Sequence, residues 1–267
     1  MSASALPEPS PDSVRSVRYD KILLFGDSIT ELSSDILSLD FALTPALQQT
    51  YFRKLSVVAR GYGGYTSEDL RHVLPPTLRA ETGAGESIRL LVIEVGTNDA
   101  SGLEIPQVPV ERFAENLIFM VETTRAAGIE RIVIVGLGPI DDQRLPAQPA
   151  DKRSVRNMRY SKAAKTISEQ VGVPFVDLWH SFLLSIGWEA GRPVPGQDGG
   201  SQGLETLLTD GVHFSGKGYR IWYEQLLRTI RETYPELRRE NLPDMLPHVS
   251  DLDRSGLPDT LWNDASQ

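Results

Sequence analysis

Short apolar runs alternate with longer amphipathic stretches along this 267-residue chain. Residues 21–25, 56–60, 88–95, 131–135 and 173–176 are the apolar runs. Those at 22–25, 88–95 and 131–135, such as Ile22-Leu23-Leu24-Phe25, leave no wet face and predict strands buried on both sides; 56–60 and 173–176 predict short strands. The intervening segments carry helical signals. Ser67 is placed to cap a helix over about 68–79, with Glu68 and Asp69 in its first turn, where the macrodipole favours acids. Pro109 opens a helix that runs to Ala127, with Phe113, Leu117, Met120 and Val121 on one face and Gly128 as its stop. Further helices are predicted at about 151–171, 177–187 and 215–234, and a mixture of loop and helix, interrupted by Pro45, over 31–54. This alternation predicts one α/β domain over residues 19–235, with a five-stranded parallel sheet between two helical layers. Residues 1–18 read as a flexible arm. Residues 236–267 read as an extension that packs on the domain or on a partner subunit, and a homodimer built with that extension is one expectation.

Composition narrows the chemistry. The chain has no cysteine, which excludes disulfides, thiolate metal sites and a cysteine nucleophile. A formal net charge of −9 argues against nucleic acid or an anionic membrane surface as partner, since both need a basic face. No run approaches the ~18 apolar residues of a membrane span. The first 18 residues lack the apolar core of a secretory signal, so a cytoplasmic protein is the simplest expectation.

The polar residues of interest stand where strands give way to loops: Ser28, Gly64, Asn98 and the segment Thr209-Asp210-Gly211-Val212-His213-Phe214. In a doubly wound sheet the carboxyl ends of parallel strands share one edge, so these residues can meet. Their types suit acyl transfer. A serine needs a base near neutral pH, and imidazole is that base. The base needs a carboxylate to hold its tautomer, and Asp210 lies three residues before His213. A tetrahedral oxyanion needs donors; the Ser28 and Gly64 N–H groups and the Asn98 amide are candidates. Asp27 and Asp99 read as braces of their own turns. His72, His180 and His248 are scattered without ligand spacing, so neither a metal nor an organic cofactor is assigned.

Gly26-Asp27-Ser28 after the first strand, Gly64 before Tyr65-Thr66, Gly96-Thr97-Asn98-Asp99 after a strand and Asp210-x-x-His213 near the end together resemble the four blocks of the SGNH, or GDSL, hydrolase superfamily, in its order. The stretches 24–30, 60–67 and 208–219 are similar to those of its isoamyl acetate-hydrolysing esterase branch. The resemblance covers about residues 20–235. It implies a three-layer α/β/α flavodoxin-like fold and a serine esterase without cofactor. Ser28 would be the nucleophile, His213 the base and Asp210 its orienting acid, with Gly64 and Asn98 completing the oxyanion hole. Two stretches look expanded relative to that branch, 101–107 and 192–203, and both could border the acyl pocket.

Short-chain acyl esters are the first substrate expectation. A lysophospholipase or thioesterase, a carbohydrate acetylesterase, and a non-catalytic binding protein on the same fold remain alternatives. Gly199-Gly200-Ser201-Gln202-Gly203 matches G-x-S-x-G, but that elbow needs a strand before it and a helix after it, and a Gly/Pro-rich loop surrounds it here. Gly61-Tyr62-Gly63-Gly64 lacks the spacing and the lysine of a phosphate loop.

Overall fold

The computed structural model describes residues 19–83, 86–101, 108–145, 153–197 and 200–256. Five strands, β1 (Lys21–Gly26), β2 (Ser56–Gly61), β3 (Ile88–Glu94), β4 (Ile132–Val135) and β5 (Phe175–Val176), form one sheet. Every pairing is parallel and the order is β2-β1-β3-β4-β5. The order reverses at β1, so β1 and β3 diverge into a crevice at their carboxyl ends, the usual ligand position in such sheets.

Side chains alternate across the sheet, and that alternation divides the core in two. Ile22 and Leu24 face one layer, made by α2 (Leu43–Thr50), α6 (Leu178–Ser185) and α7 (Gly216–Thr233). Leu23 and Phe25 face the other, made by α3 (Ser67–Glu81), α4 (Val110–Ala126) and α5 (Arg153–Val171). The remaining α-helix, α1 (Ser28–Glu31), is a single turn directly after β1. The expected α/β/α sandwich is therefore the observed one.

Two local expectations shift for physical reasons. Pro45 sits in the first turn of α2, where its missing N–H has no intrahelical partner to lose, so it begins the helix rather than breaking it. β5 is shorter than the apolar run 173–176 because Pro174 has no amide to donate to a ladder.

The tail beyond α7 finds a partner within its own chain as far as residue 247. Leu237 and Leu242 are buried. Met245 N–H donates to Arg53 O, and the Arg53 guanidinium donates to the carbonyls of Leu246 and Pro247. Lys54 pairs with Asp244 at 3.0 Å. The expected arm 1–18, the stretch 102–107 and the last residues 257–267 lie outside the described residues.

Candidate active site

Gly26 ends β1 at a point where a side chain cannot fit: a Cβ there would lie 2.0 Å from the Glu94 carbonyl oxygen and 2.2 Å from the Thr30 hydroxyl. Asp27 then caps α1, its Oδ1 accepting the Ile29 N–H at 2.9 Å. Ser28 is thus the first residue of a helical turn at the mouth of the crevice. Tyr219 of α7 donates its O–H to Ile29 O at 2.7 Å and holds that turn from below.

The segment before α7 folds back on itself. Leu208 and Phe214 form an antiparallel bridge, and Gly211 makes the reversal with φ +99°. Arg144 clamps this loop from outside, its guanidinium donating to the carbonyls of Leu208 and Thr209. Inside the loop Asp210 Oδ1 accepts the N–H groups of Val212 and His213, each at 2.9 Å. Asp210 Oδ2 lies 2.7 Å from His213 Nδ1, and His213 Nε2 lies 3.0 Å from Ser28 Oγ. Partial burial pushes the Asp210 carboxyl up, but the His213 ring and the two amides outweigh it and hold the group below its ordinary value. An ionised Asp210 can only accept, so it favours the proton on Nδ1 and leaves the Nε2 lone pair toward Ser28.

Gly64 and Asn98 close the same corner. Gly64 adopts φ +79° in the turn after β2, and Glu31 fixes that turn by accepting the Gly63 N–H at 2.5 Å. Asn98 donates one amide hydrogen to Tyr65 O at 2.9 Å, which ties the turn after β3 to the turn after β2. Among the described residues no acceptor occupies the N–H groups of Ser28 and Gly64. The site is open to water: the Asp210 side chain is 55% exposed and that of His213 30%.

Other expectations are refined. Asp27 braces its own turn as expected, and the nearby Thr97 N–H of the turn after β3 also favours its ionised form. Asp99 reaches across to the start of α3, where it accepts the N–H and O–H of Ser67. The deviation from a local brace arises because α3 presents its unpaired first-turn amide beside the turn after β3. Ser201 of the competing G-x-S-x-G match sits in a loop followed by a single 3-10 turn, and Gly199 lies outside the described residues. His180, in the first turn of α6, is exposed and bonds Asp177 at 2.9 Å. Among the described residues no group of three or more His, Asp or Glu could hold a metal ion.

Sequence reasoning passed over Glu31, Glu94, Arg144 and Tyr219. Only Glu94 carried a visible signal, a charge near the end of an otherwise apolar run. The other three act from elements that periodicity cannot connect.

The GDSL-like lipase/acylhydrolase family model matches residues 24–221. An isoamyl acetate-hydrolyzing esterase of Saccharomyces cerevisiae is 33% identical over 236 residues, 84% of this chain and 91% of that one. The protein of the same description from Schizosaccharomyces pombe is 29% identical over 249 residues, covering 88% and 84%. Among solved structures, a lipase/acylhydrolase from Enterococcus faecalis superposes with a TM-score of 0.57 at 26% identity, over 84% of this chain and 98% of that one. An acetylxylan esterase from Geobacillus stearothermophilus shares the fold with a TM-score of 0.59 at 22% identity, over 81% and 96%. Among the described residues no helix is long and apolar enough to cross a membrane. A family model that runs from the end of β1 into α7, and a relative of that identity over most of both chains, make this chain a member of the GDSL-like lipase/acylhydrolase family of carboxylic ester hydrolases.

Proposed function

We propose that this protein cleaves short-chain, acetate-type esters by double displacement. Ser28 Oγ attacks the ester carbonyl while His213 Nε2 takes its proton. Asp210 holds the ring by Nδ1 and stabilises the imidazolium that forms. The N–H groups of Ser28 and Gly64 and the remaining amide hydrogen of Asn98 receive the oxyanion, each donor contributing roughly 3–4 kcal/mol to barrier lowering. The imidazolium passes its proton to the departing alcohol. Water, activated by the same ring, then attacks the acyl-serine, and Ser28 is released with the free acid.

The observation that carries this reading is the unbroken line of hydrogen bonds from Asp210 through His213 to Ser28, 2.7 Å and 3.0 Å long. The isoamyl acetate in the descriptions of the two yeast relatives supports a short acyl group. Hydrolysis of p-nitrophenyl acetate by wild type and Ser28→Ala tests it. The variant is expected to lose turnover by on the order of 10⁶-fold with its near-UV circular dichroism unchanged. Turnover retained in Ser28→Ala would discard the mechanism. A profile from acetyl to palmitoyl esters tests the acyl length separately, with acetyl expected to be fastest.

A further inference from the structure

The carboxyl of Glu94 is left unused by the ester-cleaving reading, yet it lies directly beneath it. Glu94 is the last residue of β3, and the parallel register sets it beside Gly26. It is 1% exposed and Asp27 is fully buried. Strand alternation sends its side chain to the side of Leu90 and Val92, the layer that contains α7. There its Oε2 accepts the Thr30 O–H at 3.4 Å, and its carboxyl lies beside that of Asp27. Asp27 in turn accepts the Ile29 N–H at 2.9 Å, with the Thr97 N–H close by. The two carboxyls therefore link the turn that carries Ser28 to the turn that carries Asn98.

Two ionised carboxylates cannot hydrogen-bond, because neither has a donor. Asp27 Oδ2 and Glu94 Oε1 are both buried and, among the described residues, neither has a hydrogen-bond partner. A proton held between the two residues supplies what both oxygens lack. Burial, then the neighbouring Asp27 carboxylate, pushes Glu94 well above its ordinary value. Asp27 is pushed up to about 6 by burial, against the pull of its hydrogen bonds. Glu94 is thus the member that keeps the proton, although the proton belongs to the pair. The other ionisable groups facing the pair are Asp99, from the turn after β3, and the Tyr219 phenol of α7.

We propose that Glu94 is a positioning residue: as a neutral acid it donates to Asp27 and accepts from Thr30, so that the residues on both sides of Ser28 are held to the end of β3. The role rests on Ser28 being the attacking group. Loss of the shared proton sets two charges against each other beneath Ser28 and lowers kcat on the alkaline side.

The test uses the full-length protein with p-nitrophenyl acetate, Glu94→Gln, Glu94→Met and infrared spectroscopy. At neutral pH wild type is expected to show a protonated-carboxyl C=O band that Glu94→Gln lacks. Glu94→Met leaves Asp27 Oδ2 without a donor and is expected to lose kcat by about 10–100-fold with KM changed less than about twofold. Glu94→Gln keeps an N–H donor and is expected to recover kcat to within about threefold of wild type and to lose the alkaline fall. A wild type without the band, a Glu94→Gln variant as slow as Glu94→Met, or an unaltered alkaline limb in Glu94→Gln would each overturn the proposal. If Glu94→Met does not fold, the band and the Glu94→Gln profile decide. Turnover retained in Ser28→Ala would overturn both this role and the proposed mechanism, whereas a missing band with Ser28→Ala inactive would overturn this role alone.

Discussion

Two Asp-x-x-His pairs in this molecule are built alike and placed differently. Asp177 accepts the His180 N–H at 3.1 Å and meets His180 Nδ1 at 2.9 Å. Asp210 accepts the His213 N–H at 2.9 Å and meets His213 Nδ1 at 2.7 Å. Both follow from the short aspartate side chain folding back on the backbone two or three residues ahead. The difference lies beyond the ring. His213 Nε2 meets Ser28 Oγ, whereas Nε2 of His180 has no hydrogen-bond partner among the described residues. His180 starts α6 on the edge strand's side of the sheet, away from the point where the strand order reverses. An oriented imidazole is a local product of four residues; a useful one needs a hydroxyl from the other end of the chain.

That contrast can be broken most sharply at the two histidines. His213→Ala is expected to reduce kcat by on the order of 10⁶-fold, close to Ser28→Ala, because the two act as one unit. Loss of less than about tenfold would remove His213 as the base. Asp210→Asn is expected to be milder, about 10⁴-fold, since the serine and ring remain but the tautomer is no longer held; a loss exceeding that of His213→Ala would remove Asp210 from its role. Asn98→Ala, which deletes one donor from the corner, is expected to cost about 10²–10³-fold in kcat with little change in KM.

The Asp210 carboxylate also has a smaller effect on stability. Its value is lowered on folding, so the stability it contributes is present above its unfolded value and is lost as pH falls through the folded one. Asp210→Asn keeps an acceptor for the two amides and removes only the charge. The Tm deficit of this variant is therefore expected near neutral pH and should vanish on acidification; a deficit constant with pH would show that the charge is not its source. At the bottom of the scale stands the other pair. His180→Ala is expected to leave ester hydrolysis within about twofold of wild type, as a surface change distant from the reacting atoms should. A tenfold loss would mean that the second pair takes part in turnover.

The sandwich was legible because its signals are short in range. Apolar runs without a wet face become interior strands, Pro109 and Gly128 bound a helix, and the alternation of strand and helix leaves little choice but a parallel sheet. The blocks that meet at the candidate site were legible for a related reason. A serine at a strand end and an aspartate three residues before a histidine are each local geometries. The hidden supports are of another kind. Glu31 fixes Gly63 across 32 positions, and Asp99 reaches Ser67 across the same span. Arg144 grips the loop of Asp210 from more than 60 residues away. No periodicity links such partners, because each lies in a different loop.

The sequence by itself determined the strands, the helices, their alternation and the Asx geometry that aims each imidazole, since these depend on residues within a few positions of one another. The tertiary structure alone decided which imidazole meets a serine, 185 positions away, and which buried acid lies beneath the turn that carries that serine. The reason is the strand order. Reversal at β1 gathers the ends of β1, β2 and β3 around one corner, and hydrogen bonds there are selected by distance in space, to which separation along the chain is no guide.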